Sequence, residues 1–304
     1  MKNLAVLLLA PLAMSGCGPA DSSEDATDKA VAAYTASIDA WHAERITKLR
    51  SDTGWLSLAA LAPLGPGTHT IGASEDNDIV LATAPAPRLG TLTVAESGIE
   101  FVADDAATVK VFDDASAAPV TTLPMVSDGD GKPTVLTSGT LLFHVIDRGG
   151  EQFLRVRDRN SPTLAAFEGI DRFPVDPRWR VTARLIPEPG ATIAITNVLG
   201  QVETSPCPGA LEFDLEGQTH RLRPTVSSDG SLFFVFADTT NGQQTYGAGR
   251  FLDADPIGDD GLVELDFNKA HNPICSMSEF ATCPLPPTGN RLPIAVEAGE
   301  KYRQ

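Results

Sequence analysis

The stretch TLLFHVIDRGGEQFLRVRD, residues 140–158, decides the fold class. Two runs rich in apolar and β-branched side chains, 140–147 and 152–158, flank a turn made of Asp, Arg and two glycines. This pattern is typical of two short β-strands joined by a tight connection. Because side chains alternate between the two faces of a strand, Arg155 and Arg157 are expected to share one face of the second run.

Similar short segments, separated by Asp, Gly and Pro, continue along most of the chain. Before residue 160, the candidate strands are 69–71, 79–82, 90–95, 99–103, 108–112, 120–124, 134–138, 140–147 and 152–158. After residue 178, the candidate strands are 179–186, 191–197, 201–205, 209–215, 218–224, 231–237, 246–252 and 261–266. This spacing predicts a mainly β protein with two β-sandwich or barrel-like units, at 30–160 and 161–304, joined near 160–178. A single extended β structure is the alternative.

One helix is expected before the first strands, at 28–50. Its apolar residues recur at intervals of three and four, which places them on one face of the helix. They are Val31, Tyr34, Ile38, Trp41, Ile46 and Leu49. The following residues, 55–61, form an apolar patch that ends in a turn rich in Pro and Gly at 63–67.

The first residues of the chain have the pattern of an export signal. A basic start precedes an apolar run, 4–14, that is too short for a membrane span but fits the core of a signal peptide. The sequence MSGC at 14–17 resembles the lipobox of bacterial lipoproteins, which implies cleavage after residue 16 and lipidation of the Cys17 thiol. Gly18, where an aspartate would retain the protein at the inner membrane, implies the periplasmic face of the outer membrane. An ordinary secretory signal is the alternative.

Residues 17–29 are polar and acidic, which predicts a disordered tether between the lipid and the folded part. Removal of residues 1–16 takes away one basic residue, Lys2, so 22 of the 23 Lys and Arg residues remain against 40 Asp and Glu. This acidity argues against a nucleic-acid partner, because phosphates require a basic surface. The predicted partners are the membrane, through the lipid anchor, and a small molecule or a protein.

The usual catalytic and metal-binding motifs are missing from the sequence. It has no Gly-x-Ser-x-Gly nucleophile motif, and its five histidines form neither His-Glu-x-x-His nor His-x-His. We therefore predict no metal site and no cofactor.

Arginines form the densest polar feature of this acidic chain. They occur at 148, 155, 157, 159, 180 and 184, around the predicted junction of the two units. Several arginines that converge at a domain junction suit a carboxylate or phosphate ligand. The candidate ligand-binding or catalytic residues are Arg155, Arg157, Arg180, Tyr246, Arg250, Asn268 and Asn272. The alternative is a salt-bridge network in which the arginines pair with carboxylates such as Asp158 and Asp238.

The proline-rich tail contains two cysteines, Cys275 and Cys283. In an exported protein, a disulfide or a pair of structural thiols is the leading interpretation, and a bridge here contributes about 2–3 kcal/mol. A metal site with His271 and a reactive thiol beside an arginine, at 250 or 291, are the alternatives. Cys207 then remains as the odd thiol, expected in an exposed turn.

Four stretches of the sequence resemble a bacterial family known only as domain of unknown function 1684. They are GWLSL and the turn after it at 54–67, LRVRD at 154–158, FEGIDRFPVDPRWRVTAR at 167–184, and the long C-terminal segment from TYGAGRFL to AVEAGEK at 245–301. The resemblance covers about 35–302 and implies no established activity. A weaker likeness of HTIGASEDNDIVL at 69–81 to a forkhead-associated domain implies a β-sandwich, but Ala73 replaces the arginine that such domains use for phosphothreonine.

These observations favour a non-enzymatic envelope lipoprotein that binds a small ligand or a partner. An enzyme, for example a hydrolase, that uses the arginine-rich junction together with the C-terminal Asn and Cys residues is the second hypothesis. A structural envelope protein without a ligand is the third.

Overall fold

The structure, a computed structural model, describes residues 21–114 and 118–302. Its first element is helix α1, Asp21–Leu49. The helix begins before the predicted start at residue 28, so residues 21–29 of the predicted tether are helical. This part of the chain has neither Gly nor Pro, and acidic residues are favourable near a helix N-terminus. Cys17 and the signal sequence lie outside the described residues. In the described part of the chain, no helix is long and apolar enough to cross a membrane.

Ten strands form the first β unit. They are β1 Leu58–Leu64, β2 Gly67–Gly72, β3 Ile79–Val80, β4 Gly90–Ala95, β5 Gly98–Ala103, β6 Lys110–Val111, β7 Thr122–Met125, β8 Leu136–Ser138, β9 Leu141–Arg148 and β10 Glu151–Asp158. One sheet has the order β1-β10-β9-β8-β6, and the other has the order β3-β2-β4-β5-β7. Buried side chains of both sheets form one core, in which the rings of Phe101 and Phe143 meet edge to face at 5.7 Å.

Strands β9 and β10 are the hairpin predicted from the opening stretch. Their register pairs Glu151 with Arg148 and Arg155 with His144. The connecting glycines, Gly149 and Gly150, have φ angles of 63° and 84°, a backbone region in which glycine is favoured. All residues from Leu141 to Ile146 are buried, because β9 lies in the middle of its sheet.

Strand β1 departs from the sequence prediction, which gave an apolar patch and a turn at these positions. Pro63 lies inside the strand and pairs with Phe153 of β10. Proline is tolerated there because β1 is the edge strand of its sheet, where one side needs no N–H donor.

The second β unit follows helix α2, Pro162–Ala166, which Ser161 caps through a hydrogen bond from the Leu164 N–H. Its strands are β11 Arg180–Pro187, β12 Thr192–Thr196, β13 Val202–Pro206, β14 Gly209–Leu215, β15 Gln218–Leu222, β16 Thr225–Val226, β17 Leu232–Phe236, β18 Arg250–Ala254 and β19 Leu262–Asp266. They form three sheets with the orders β15-β14-β11-β19, β16-β17-β18 and β12-β13. The prediction of a mainly β protein with an N-terminal helix is confirmed, and no sheet of the described residues closes into a barrel.

Strand β17 has apolar side chains on both faces. One face packs into the second unit, and the other faces the region between the two units. Phe234 and Phe236 pack into the core of the second unit. Val235 on the opposite face joins a separate apolar cluster, and Phe233 packs against that cluster. The cluster also contains residues from α1, from β1 and from the C-terminal tail, so it connects the two β units.

Candidate ligand-binding site

A cleft with a volume of about 810 Å³ lies between the two β units. The first unit contributes the β9–β10 turn and the side chain of Arg155. The second unit contributes β12, β13, β17, β18 and part of the tail. A volume of this size is in the ordinary range for small-ligand sites, roughly 300–1,000 Å³.

Arg155 is the most unusual residue of the cleft, because this buried cation forms no salt bridge with a carboxylate of the described residues. Only 3% of the residue surface is accessible. Its Nη2 donates to the Thr282 hydroxyl at 3.2 Å, and its buried Nε has no hydrogen-bond partner. No carboxylate of the described residues forms a salt bridge with it. Burial, together with the positive charges of Arg148 and Arg157, lowers the pKa of Arg155 to about 10, while the negative charge of Asp128 acts in the opposite direction.

The indole ring of Trp55 covers two arginines of β10. The guanidinium carbons of Arg155 and Arg157 lie 5.5 and 5.0 Å from the ring centre, so both side chains are on one face of the strand. Arg157 also donates to the carbonyl oxygen of Gly54 at 2.6 Å, and burial lowers its pKa to about 10. Trp55 itself is 39% exposed and lines the cleft.

Arg148, near the β9–β10 turn, is neutralised by Asp128. Its Nη1 and Nη2 donate to the two carboxylate oxygens at 3.1 and 2.9 Å. These hydrogen bonds lower the pKa of Asp128, while burial acts in the opposite direction as the largest single influence. Of the two arginines that β9 and β10 contribute to the cleft, only Arg155 lacks a carboxylate partner.

The opposite wall of the cleft is apolar. Phe233 of β17 and Phe251 of β18 meet edge to face with ring centres 4.9 Å apart. Ile195, Ile274 and Ala281 continue this wall. All five residues belong to the apolar cluster between the units or pack against it. Phe233 and Ile195 are partly exposed, and the other three are buried.

Two buried histidines, His144 and His271, lie near the cleft. His144 faces Arg155 across the hairpin, and burial, with the charges of Arg157 and Arg155, lowers its pKa to about 4. His271 lines the cleft, and burial lowers its pKa to about 3. Both imidazoles are therefore neutral near pH 7, which leaves the cationic character of this region to the arginines.

Asn272 lines the cleft but is held by structural hydrogen bonds. Its N–H donates to Glu300 at 2.8 Å, and its side-chain amide donates to the Lys301 carbonyl at 2.9 Å. Arg45 of α1 completes the arrangement, because it pairs with Glu300 at 2.6 Å and donates to the Asn272 carbonyl at 3.0 Å. The side-chain oxygen of Asn272 is buried without a hydrogen-bond partner among the described residues.

Arg250 stabilises the second unit. Its side chain is completely buried, and Nη2 donates to Asp238 at 2.7 Å and to the Val296 carbonyl at 2.8 Å. Nη1 donates to the Ala298 carbonyl. For this residue, the salt-bridge interpretation applies.

Three further candidates do not line the cleft. Arg180 is exposed, pairs with Glu264 at 2.5 Å and lies over the Tyr34 ring. Asn268 is buried, and its amide donates to the Asp176 carbonyl and to the Tyr34 hydroxyl, each at 2.9 Å. Tyr246 donates to the Cys275 carbonyl at 3.2 Å. The predicted arginine cluster therefore separates into one cleft arginine, one arginine under Trp55 and several structural ion pairs.

The three cysteines of the described residues are free thiols. Cys275 and Cys283 are neighbours, and the N–H of Cys275 donates to the Cys283 sulfur at 3.1 Å. The hydrogen bond between the two thiols lowers the pKa of Cys275 and raises that of Cys283 above its usual range. This geometry matches paired thiols, and the disulfide stays a prediction. Cys283 also lines the cleft.

Two interpretations of the cysteines find no support in the contacts. In the described part of the chain, no three His, Cys, Asp or Glu side chains cluster closely enough to hold a metal ion. Arg250 and Arg291 are directed at Asp238 and at backbone carbonyls. The expectation that Cys207 occupies an exposed turn was wrong: the residue is buried, because its thiol and N–H bond to Gly209 and Ala191 carbonyls.

Sequence reasoning missed the residues that complete the cleft. Trp55 and Arg45 precede the arginine-rich segment by about a hundred residues. Phe233 lies in an apolar run, 232–236, whose sequence is typical of a buried core strand. The only available signal was the GWLSL stretch around Trp55. The cleft depends on contacts between distant parts of the chain, which periodicity cannot predict.

Comparison with known proteins identifies a family whose activity is not established. Residues 165–301 match the family described as "Protein of unknown function (DUF1684)", and the chain belongs to this family. The solution NMR structure of an uncharacterized protein from Haloarcula marismortui is 32% identical. That likeness covers 46% of this chain and 80% of the other, with a TM-score of 0.40. No curated protein matches the chain. The forkhead-associated likeness stays a prediction.

Proposed function

We propose that this protein is a ligand-binding lipoprotein of the bacterial envelope, and that it binds a small anion in the cleft between its β units. The observation that carries the proposal is Arg155, a buried arginine that forms no salt bridge within the described residues and lines a cleft of about 810 Å³. A buried cation without a counter-charge costs several kcal/mol of folding free energy. A ligand that brings a negative charge to Arg155 removes this cost and gains charge-assisted hydrogen bonds.

The envelope location rests on the sequence of residues 1–17. A short apolar run followed by MSGC supports export, cleavage before Cys17 and anchoring through acyl chains on this cysteine. With the anchor in the outer membrane, the cleft faces the periplasm. The ligand is then a periplasmic small molecule.

The enzyme hypothesis has less support from the contacts. Arg250 and Asn268, proposed for catalysis, bond to the chain's own carboxylates and backbone carbonyls. Tyr246 bonds to the backbone of the tail. These contacts assign the three side chains a role in holding the fold together, which favours binding over turnover.

Isothermal titration calorimetry with benzoate tests the anion-binding proposal. We expect Arg155→Met to weaken benzoate binding by about tenfold or more, the contribution of one charge-assisted hydrogen bond. Arg180→Met is the matched control, because Arg180 is exposed and pairs with Glu264 outside the cleft, and it leaves the affinity unchanged. Equal benzoate affinity in the wild-type protein and the Arg155→Met variant would overturn the proposal.

A further inference from the structure

The geometry points to an amphipathic monocarboxylate, such as a medium-chain fatty acid, as the ligand of the cleft. This inference rests on the proposed anion site at Arg155 and adds the chemical class of the molecule. It follows from three features of the cleft lining: one arginine without a salt bridge to any described residue, an apolar wall, and several acidic side chains.

The one lining arginine without a salt bridge in the described part of the chain determines the charge of the ligand. Of the arginines that line the cleft, Arg148 pairs with Asp128 and Arg45 pairs with Glu300. Arg155 alone has only a neutral acceptor, the Thr282 hydroxyl. One anionic group of a ligand therefore has a cationic partner at Arg155, and a second negative charge finds no other arginine of the lining without a carboxylate.

The acidic residues around the cleft disfavour a dianion. Asp147 and Glu203 line the cleft together with Asp128. No salt bridge to Asp147 or Glu203 is formed within the described residues. The chain as a whole carries a net charge of -17. A carboxylate with one charge is repelled less by this environment than a phosphate monoester with nearly two.

The apolar wall indicates that the remainder of the ligand is a hydrocarbon chain. Phe233 is only partly buried although its neighbours Leu232 and Phe234 are core residues, because its side chain is on the cleft side of β17. Phe251, Ile195, Ile274 and Ala281 extend the wall. An acetate or another small polar anion leaves this surface in contact with water. A hydrocarbon chain covers it, and burial of apolar surface then contributes to the binding free energy in proportion to the area covered.

Calorimetric titration of the full folded chain with acetate, hexanoate, octanoate and decanoate tests the assignment. We expect the affinity to rise by about fourfold for each added methylene. Decanol, which has the same chain without the charge, binds more weakly than decanoate by about tenfold or more. Decyl phosphate also binds more weakly than decanoate, because its second charge meets the acidic residues around the cleft.

Two variants separate the charged end from the apolar wall. Arg155→Met lowers the affinity for decanoate by about tenfold or more and leaves the affinity for decanol unchanged. Phe233→Ala lowers the affinity for decanoate and for decanol alike, because both probes lose the same apolar contact. Phe233 is partly exposed, so this variant remains informative even where substitution of the buried Arg155 disturbs folding.

The possible outcomes distinguish this inference from the proposed function. If acetate binds as tightly as decanoate and still requires Arg155, the anion site stands and the amphipathic ligand is overturned. If decyl phosphate binds more tightly than decanoate, the carboxylate assignment is overturned. If decanoate binding depends on Phe233 but not on Arg155, the proposed anion site itself is wrong.

Discussion

Nη2 of Arg155 donates a hydrogen bond to Oγ1 of Thr282 at 3.2 Å. This contact joins strand β10 of the first unit to the C-terminal tail, and it lies beside the paired thiols of Cys275 and Cys283. The Thr282 hydroxyl is a neutral acceptor, so it satisfies one N–H group of Arg155 without compensating its charge. The stability of the unliganded protein and its affinity for an anion therefore depend on the same side chain in opposite ways.

Replacement of Arg155 by methionine is expected to stabilise the unliganded protein. The substitution removes a buried charge that forms no salt bridge with the described residues, and we expect the free energy of unfolding to rise by about 1–3 kcal/mol. Urea denaturation followed by circular dichroism measures this change. Arg250→Met is the matched control: it leaves Asp238 buried and unpaired, and it lowers the free energy of unfolding by about 3–5 kcal/mol. Strong destabilisation by both substitutions would show that the charge of Arg155 is already compensated.

The stability of the protein is expected to fall as the pH falls from about 6.5 to 4. The pKa of His144 is about 4 in the folded protein, whereas its value in the unfolded chain is 6.5. In this interval the unfolded chain binds a proton that the folded protein does not, so protonation favours unfolding. His144 contributes about 3 kcal/mol to this loss.

Urea denaturation of the His144→Gln variant at pH 7 and at pH 4 isolates this contribution. The variant still loses the stability that depends on His271, since the pKa of His271 is also lowered in the folded protein. We expect the difference in stability between the two pH values to be smaller in the variant by the amount assigned to His144. An unchanged difference would mean that His144 is protonated equally in the folded and unfolded states.

The thiol of Cys275 is expected to react before the other two. The hydrogen bond from Cys283 holds the pKa of Cys275 below its usual range, and Cys275 is also more exposed than Cys283 and Cys207. Brief alkylation of the reduced protein, followed by peptide mass spectrometry, should therefore label Cys275 first. Preferential labelling of Cys207 would contradict the thiol geometry.

Oxidation is expected to join Cys275 and Cys283, because the two thiols are already in contact. Incubation with oxidised glutathione transfers two electrons from the thiols to that disulfide and releases two molecules of reduced glutathione. Alkylation of the oxidised protein should then find Cys207 as the only free thiol among the three. Two alkylated cysteines at 275 and 283 would contradict the predicted bridge.

Substitution of Cys17 tests the lipid anchor. In Gram-negative cells that express the full chain, Cys17→Ala should move the protein from the membrane fraction to the soluble fraction, because the acyl chains are attached to this thiol. Cys207→Ala is the control, since Cys207 is buried in the second β unit and leaves the fractionation unchanged. Membrane association of the Cys17→Ala protein would show that another feature holds it at the membrane.

Local sequence patterns predict most strands of this protein well. They predict the edge strand β1 and the start of helix α1 less well. The two runs rich in apolar and β-branched residues, with the glycine turn between them, correctly placed the β9–β10 hairpin. Strand β1 was missed because Pro63 normally interrupts a strand, and only the sheet order shows that it occupies an edge. The start of α1 was placed too late, because a polar and acidic composition alone does not distinguish a tether from the first turns of a helix.

The candidate site was less predictable, because it depends on which distant side chains meet. Sequence alone grouped Arg155 with Arg180 and Arg250. The structure pairs Arg180 with Glu264 on the adjacent strand and buries Arg250 with Asp238, and it leaves Arg155 without a carboxylate. Charge compensation is a property of three-dimensional neighbours, so one sequence cannot show which arginine lacks a partner.

The NMR signal of the Arg155 Nε–H group tests the central claim most directly. This group and the Nε–H of Arg250 are both buried without a hydrogen-bond partner, so they form a matched pair in one molecule. The spectrum of the Arg155→Met variant assigns the first signal. On titration with decanoate, we predict a saturable shift of the Arg155 signal and no shift of the Arg250 signal. An Arg155 signal that stays in place at saturating decanoate would contradict the account.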